Sequence, residues 1–224
     1  MRDLVTGDEG LVVSDNTTSI FAYGWRPDST ALVYDYGCGL YEVSRDGTNV
    51  RLLWNENCRL EPSVNPVDGR LAFASAAADV GLLVSDSEPS SVNVAKIPGT
   101  HPGQHDPVWS PDGEWIQFSD NDAGTNLFRI RPDGTGSTPL TAFTGTDVIH
   151  GPGAWTADGS QIVIPATIQG TNGLYLVNAD GSGYFLLRAN TGGPDYDGVG
   201  SINRCISTCA HSARSVLRIC ELEE

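Results

Sequence analysis

Short stretches of alternating apolar and polar residues are separated by turns rich in glycine, proline and aspartate along most of the chain. Residues 106–141 show this pattern most fully. Residues 115–119 alternate as a half-buried strand does, and residues 127–130 have the composition of another strand. The turns at 110–113 and 132–135 each contain Pro-Asp-Gly. Proline fixes its own φ, aspartate can hydrogen-bond to the backbone two residues later, and glycine adopts a positive φ without strain. The pattern predicts one four-stranded antiparallel unit.

The same unit recurs at a regular interval. An aspartate in the first turn marks each copy, and these aspartates (Asp28, Asp68, Asp112 and Asp158) lie 40, 44 and 46 residues apart. A period of about 40 to 50 residues is typical of a four-stranded propeller blade. We therefore predict an all-β protein: a β-propeller of four-stranded antiparallel blades, with four complete blades and a partial blade at the N-terminus.

The repeat also sets approximate domain boundaries. The propeller region covers residues 1–192, with a partial blade at 1–18 and complete blades at about 19–57, 58–99, 100–145 and 146–192. Residues 193–224 lack the repeat signature and form an atypical tail containing Cys, Arg and Ser. Two interpretations stay open. Either this tail closes the ring, or the chain is a fragment of a longer propeller.

The recurring motif is an apolar residue before Trp-Ser-Pro-Asp-Gly, then Leu-Phe/Tyr-x-Ile/Val, then Asp-Gly-Thr/Ser. It resembles the repeat of TolB-like β-propellers, a WD40-like repeat family found in bacterial exported proteins. The clearest copies begin at Asp106 and Gly153, and the resemblance covers about residues 1–190. It implies the fold rather than one function, because similar blades occur in periplasmic TolB proteins, in prolyl oligopeptidase-type peptidases and in some sugar lyases. Tryptophan recurs at one position of the motif, and we expect it to pack between blades at Trp25, Trp109 and Trp155.

Charge narrows the choice of partners. The formal net charge is −15, and Lys96 is the single lysine of the chain. An acidic protein of this kind lacks the positive surface needed to bind a phosphate backbone, so we expect no nucleic-acid partner. No run of 18 apolar residues occurs, so we expect no membrane span.

Candidate binding residues precede or begin the first strands of three blades. In a propeller these strands line the central channel, and the segments leading into them lie on the face where ligands commonly bind. The candidates are Glu61, His101, His105, Asp106, Asp147 and His150. Histidines and carboxylates that converge at a channel mouth suit a divalent metal ion or a polar ligand. The alternative is that they are ordinary loop residues facing water.

Other motifs give little support for catalysis. Residues 120–124 resemble the start of a calcium loop but lack the distal glutamate, so a plain loop between strands is favoured. The chain contains neither a Gly-x-Ser-x-Gly nucleophile elbow nor a Gly-x-x-x-x-Gly-Lys phosphate loop.

Two cysteines flank one predicted strand pair. Cys38 precedes the third strand of the first complete blade and Cys58 follows its fourth strand, so antiparallel pairing brings them together. We predict a Cys38–Cys58 disulfide and therefore an oxidising compartment, periplasmic or extracellular. The first residues lack the apolar region of a signal peptide, but this does not indicate a cytosolic location, because the N-terminus resembles the middle of a repeat.

Taken together, these patterns predict a non-catalytic, monomeric interaction module rather than an enzyme. It would bind a protein or a small polar ligand at the channel face, with no cofactor other than a divalent metal ion at the candidate residues. The alternative is the propeller portion of a larger hydrolase of the prolyl oligopeptidase type, or of a metal-dependent sugar lyase.

Overall fold

A computed structural model describes residues 23–55, 61–75, 80–86, 93–122 and 125–190. Within these ranges the regular structure consists of antiparallel β-strands in four sheets, each built from strands consecutive in sequence. Among the same residues, we find no helical segment with the length and apolar character of a membrane crossing.

The first two blades have four strands each. Blade 1 contains β1 (Tyr23–Trp25), β2 (Ala31–Tyr36), β3 (Gly39–Ser44) and β4 (Arg51–Trp54). Blade 2 contains β5 (Ser63–Val64), β6 (Leu71–Ala74), β7 (Leu82–Ser85) and β8 (Val94–Lys96).

Blades 3 and 4 repeat the arrangement, with one variation. Blade 3 contains β9 (Gln104–Trp109), β10 (Ile116–Asp120), β11 (Asn126–Ile130) and β12 (Thr138–Pro139). Blade 4 contains β13 (Val148–Ile149), β14 (Ala154–Trp155), β15 (Gln161–Ile168), β16 (Thr171–Asn178) and β17 (Tyr184–Ala189). In blade 4 the innermost strand is interrupted, so that β13 and β14 both pair with β15.

The predicted fold class is confirmed: the described residues form antiparallel, four-stranded propeller blades. The predicted partial blade at 1–18 and the tail at 193–224 lie outside the described residues. One expectation is wrong. The alternation of residues 115–119 predicts one buried and one exposed face, whereas residues 116–119 of β10 are all buried and Trp115 is half-buried. The reason is that neighbouring blades cover both faces of this strand: Phe118 lies in the cluster shared with blade 2, and Gln117 donates to the carbonyl of Gly153 in blade 4.

The hydrophobic core consists of three clusters, each between two adjacent blades. Between blades 1 and 2 it contains Val33, Leu40, Val64, Leu71, Phe73 and Leu83. Between blades 2 and 3 it contains Ala72, Ala74, Leu82, Ile97, Trp109, Ile116, Phe118 and Ile130. Between blades 3 and 4 it is formed mainly by Leu127, Leu140, Phe143, Ile162, Ile164 and Val177, with Trp155 packed against it. The expected packing between blades therefore holds for Trp109 and Trp155, while Trp25 is half-buried.

Side-chain hydrogen bonds to the next blade fix the relative position of the sheets. Asn65, which is fully buried, precedes the proline of the first turn of blade 2 and donates from Nδ2 to the Gly113 carbonyl at 3.1 Å. Arg26 occupies the matching position in blade 1 and donates to the Gly69 carbonyl of blade 2. Each acceptor glycine lies in the first turn of the following blade, so the repeated turn also acts as a docking point between blades.

The outermost strand of blade 4 differs from the interior of the sheets. Four consecutive apolar residues of β17 are between 41% and 51% exposed: Tyr184, Phe185, Leu186 and Leu187. Tyr184 still makes edge contacts with the rings of Phe143 and Tyr175. Within the part of the chain that the structure describes, the contacts of this strand are with blades 3 and 4.

The blade contact at Gly113 leads to a stability prediction. Gly113 has a φ of 71°, and a Cβ there would lie 2.6 Å from Asn65 Oδ1, whereas Gly99 has a φ of 80° with open space around it. We expect Gly99→Ala to lower the free energy of unfolding by about 1 kcal/mol, from backbone strain alone. Gly113→Ala should cost a further 1 to 3 kcal/mol, roughly, because of overlap with blade 2. Urea unfolding of both variants measures the difference, and equal losses would show that the turn does not hold the blades together.

The turn aspartates share one electrostatic property. Asp158 Oδ1 accepts hydrogen bonds from the Thr156 hydroxyl at 2.6 Å and from the Ser160 amide at 3.1 Å. The Thr156 hydroxyl, followed by the Ser160 amide and hydroxyl, lowers the pKa of Asp158 from 3.8 to about 2. The equivalent pKa values are also lowered at Asp28, Asp46, Asp133 and Asp180, where the Thr or Ser two residues later supplies the donors.

These shifts predict a defined loss of stability in acid. Because the folded-state pKa of Asp158 lies below its ordinary value of 3.8, its contribution is fully present above that pH and is lost as the pH falls through about 2. We expect an NMR titration to give the Asp158 carboxylate a pKa near 2, and the double variant Thr156→Val, Ser160→Ala to move that pKa towards 3.8. An unchanged titration in the variant would contradict the assigned cause.

Candidate functional site

One end of each sheet carries the loops that lead into the first strand and those that join the second strand to the third. Both loop types lie at the same end because consecutive strands run antiparallel. We call this end the mouth face. The six candidate residues predicted from the sequence lie in these loops or near the start of the first strand that follows: Glu61, His101, His105, Asp106, Asp147 and His150.

A β-bulge shapes the mouth end of blade 3. His105 pairs with Ser119 and Val108 pairs with Gln117, so the two residues between His105 and Val108 face a single residue of β10. Asp106 lies in this bulge with a φ of 54°. Neighbouring residues of a regular strand point to opposite faces. The bulge instead turns Asp106 towards His105, and Asp106 Oδ2 lies 3.1 Å from His105 Nδ1.

Glu61 joins this pair from the preceding blade. It lies in the segment that leads into β5, and its own φ is 43°. Its Oε2 accepts a hydrogen bond from the Asp106 amide at 2.8 Å. Ligand atoms of Glu61, His105 and Asp106 all lie within 4.8 Å of one another. We call these three residues the triad.

The triad is enclosed rather than fully solvated. The His105 side chain is 12% exposed and that of Asp106 is 16% exposed. The hydrogen bond to Asp106 raises the pKa of His105, burial opposes the shift, and the charges of Asp106 and Glu61 reinforce it, with a contribution from the nearby Asn121. The second ring nitrogen, Nε2, is buried and makes no hydrogen bond of normal geometry with the described residues. The arrangement therefore favours positive charge at this point.

A second group of polar side chains lies at the same end of blade 3. His101 Nε2 is 3.1 Å from Asp120 Oδ2, and His101 Nδ1 is 3.5 Å from Asp122 Oδ2. Gln104 donates to Asp120 Oδ2 at 2.9 Å and so holds that carboxylate in place. The Pro102 carbonyl raises the pKa of His101, burial opposes this, and the two aspartates add to it. We call His101, Asp120 and Asp122 the rim group.

Sequence pattern alone predicts only a loop role for Asp120 and Asp122. The pattern lacks a complete calcium motif, and the histidine that they meet is about 20 residues earlier in the chain. The available signal was positional: Asp120 ends the second strand and His101 precedes the first, and antiparallel pairing brings these two places together.

The remaining two candidates do not join either group. Asp147 Oδ1 accepts the Gln169 amide at 2.7 Å, which positions the loop between β15 and β16. His150 Nε2 lies 2.7 Å from Thr167 Oγ1. Within the described part of the chain, neither residue belongs to a cluster of three histidine or carboxylate side chains. Both of these contacts lie within blade 4.

One of the two cysteines of the predicted disulfide lies within the described residues. Cys38, in the loop between β2 and β3, is disulfide-bonded. Cys58 lies outside the described residues. The pairing of Cys38 with Cys58 therefore stays a prediction.

Comparisons with known proteins identify the fold. No family model matches the sequence, and no curated protein matches it at a significant level. Among solved structures, a protein assigned as TolB from Agrobacterium tumefaciens is 18% identical, with a TM-score of 0.62 over 76% of this chain. TolB from Acinetobacter baumannii is 17% identical, with a TM-score of 0.64 over 80% of this chain. The chain has a TolB-like β-propeller fold.

This TolB-like propeller spans 62% of the Agrobacterium protein and 45% of the Acinetobacter protein. It is similar as well to an oligogalacturonate lyase solved in complex with manganese, at 18% identity and a TM-score of 0.62, covering 85% of this chain and 59% of the lyase. Identities at this level establish the shared fold, and function has to be argued from the site itself.

The link between blades at Glu61 leads to a testable prediction. Glu61→Ala removes the acceptor for the Asp106 amide and should lower the free energy of unfolding by about 1 to 3 kcal/mol. Glu61→Gln keeps an oxygen acceptor and should cost less than about 1 kcal/mol. Urea unfolding measures both values. The exposed Glu114→Ala is the control, expected to stay within about 0.5 kcal/mol of the unmodified protein. A loss for Glu61→Ala no larger than that of the control would contradict the structural role of this bond.

Proposed function

We propose that this propeller is a non-catalytic binding module that holds a small polar ligand at its mouth face. The observation that carries the proposal is the convergence of histidine and carboxylate side chains there in two adjacent groups, the triad and the rim group. Polar groups that converge on one face of a rigid scaffold are typical of a ligand site. Positive φ at Glu61 and Asp106 supports the same view, because strained backbone is concentrated at functional sites.

The charge of the site selects the ligand. Four carboxylates belong to the two groups: Glu61, Asp106, Asp120 and Asp122. Carboxylates attract groups that carry positive charge or donate hydrogen bonds, and the net charge of −15 extends this preference over the whole protein. We therefore propose a ligand that presents an amine or another cationic group. A protein partner would meet the face through a basic side chain.

The proposal places the protein in an oxidising compartment, periplasmic or extracellular, as a monomer. The disulfide at Cys38 supports the compartment, because such bonds persist where the environment is oxidising. The fold shared with TolB proteins is compatible with this location.

A metal-dependent sugar lyase is the second candidate, and the triad is the observation that favours it. Its nitrogen and oxygen donors resemble a metal-binding set, and one structural neighbour is an oligogalacturonate lyase in complex with manganese. A hydrolase is less well supported, because the chain has no serine elbow and the catalytic group would have to lie elsewhere.

A single titration experiment distinguishes the two candidates. Spermidine, glucose and oligogalacturonate are titrated separately into the full chain. The melting temperature is measured with each compound, and the oligogalacturonate is also analysed for unsaturated products. We expect spermidine to raise the melting temperature, glucose to leave it unchanged, and the double variant Asp120→Asn, Asp122→Asn to abolish the shift.

The control for this experiment is the double variant Asp158→Asn, Asp180→Asn, which also removes two carboxylate charges but at the opposite end of blade 4. It should respond to spermidine as the unmodified protein does. Equal responses to spermidine and glucose would overturn the binding proposal. Conversion of oligogalacturonate to unsaturated products would replace it with the lyase.

A further inference from the structure

We infer that the triad is a binding site for a divalent first-row transition-metal ion. The inference rests on the proposed function in that it assigns an ion to one part of the mouth face. The rim group is left to the organic part of the ligand.

The donor set of the triad determines the kind of ion. One imidazole nitrogen and two carboxylates, with ligand atoms within 4.8 Å of one another, can converge on a single cation. Three protein ligands with the remaining positions open is the arrangement of metal sites that also take up water or a second ligand. Imidazole suits transition metals better than Mg²⁺ or Ca²⁺, which prefer all-oxygen sets.

Charge balance points in the same direction. Glu61 and Asp106 place two carboxylates side by side, and the Asp106 side chain is only 16% exposed. Two enclosed negative charges at this separation repel each other, and a dication between them cancels that repulsion. His105 would bind the ion through Nδ1 in the neutral form of the ring, since a ligating imidazole nitrogen has to be free of its proton.

The backbone holds the donors in place before any ion binds. The bulge in β9 brings Asp106 Oδ2 to 3.1 Å from His105 Nδ1, although the two residues are adjacent in a strand. The bond from the Asp106 amide to Glu61 Oε2 fixes the third donor across the gap between blades 2 and 3. His105 Nε2 is buried, and this nitrogen would carry the proton when Nδ1 is a ligand.

The rim group is a poorer choice for the ion. The Asp122 side chain is 72% exposed and that of His101 is 41% exposed. Asp120 already accepts a hydrogen bond from Gln104. Exposed carboxylates of this kind remain hydrated and mobile, so their affinity for a dication is lower than that of an enclosed set.

Calorimetric titration of the chelator-treated full chain tests the inference, with Mn²⁺, Zn²⁺ and Mg²⁺ as separate probes. We expect one equivalent of Mn²⁺ to bind, Zn²⁺ to bind more tightly, and Mg²⁺ to bind at least about tenfold more weakly than Mn²⁺. Mn²⁺ is the decisive ion because thiolates bind Zn²⁺ in preference to Mn²⁺. Binding of Mn²⁺ therefore reports on the triad rather than on the five cysteines of the chain.

Isosteric variants locate the ion. Asp106→Asn and Glu61→Gln should each weaken Mn²⁺ binding by at least about tenfold. Circular dichroism confirms that each variant is folded, and Asn accepts the positive φ of position 106 readily. His150→Asn is the control, expected to bind Mn²⁺ as the unmodified protein does, and His101→Asn tests whether the rim group takes the ion instead.

Three outcomes would overturn the inference: no saturable Mn²⁺ binding by the folded protein, unchanged binding in both triad variants, or loss of binding in His101→Asn alone. The spermidine titration stays independent, because it depends on Asp120 and Asp122. If Mn²⁺ does not bind but spermidine still raises the melting temperature, only the metal-site inference is overturned. If Mn²⁺ binds but spermidine has no effect, only the proposed organic ligand is overturned.

Discussion

No sheet of this propeller can bury its own faces, and this constraint governs the rest of the structure. A four-stranded sheet is one layer thick, so its apolar side chains are covered only when another sheet packs against them. The three core clusters accordingly lie between blades rather than within them. Strand β10 shows the result, because polar Gln117 is buried as completely as its apolar neighbour Ile116 and bonds to the next blade.

The same packing creates the polar groups of the mouth face. Glu61 belongs to the segment leading into blade 2, whereas His105 and Asp106 belong to the first strand of blade 3. They meet because the innermost strands of adjacent blades lie side by side, as the bond from the Trp109 amide to the Ser63 hydroxyl at 3.1 Å also shows. A binding site at such a boundary is as rigid as the contact between the blades.

The sequence was sufficient to predict the blades but not the contacts of the site. Strand positions such as Leu127 and Ile130 follow from the repeated pattern, and turns such as Asp133-Gly134 follow from local backbone chemistry. Glu61, His105 and Asp106 were identified from their place before or within first strands. Their meeting depends on a bulge opposite Phe118 and on an approach between blades, and neither leaves a local signature. For the same reason the sequence pattern does not separate His150 and Asp147 from the other four candidates, although their contacts lie within blade 4.

The exposed strand β17 shows how stability is distributed along the repeat. Each blade is coupled mainly to its two neighbours, so the energetics resemble a one-dimensional array in which every unit depends on the units beside it. Blade 2 and blade 3 are each held by two clusters, whereas the apolar residues of β17 remain 41% to 51% exposed. Among the described residues, the polar groups at the junction of blades 2 and 3 therefore lie where packing reinforces the fold from both sides, so they stay in place only as long as both clusters stay intact.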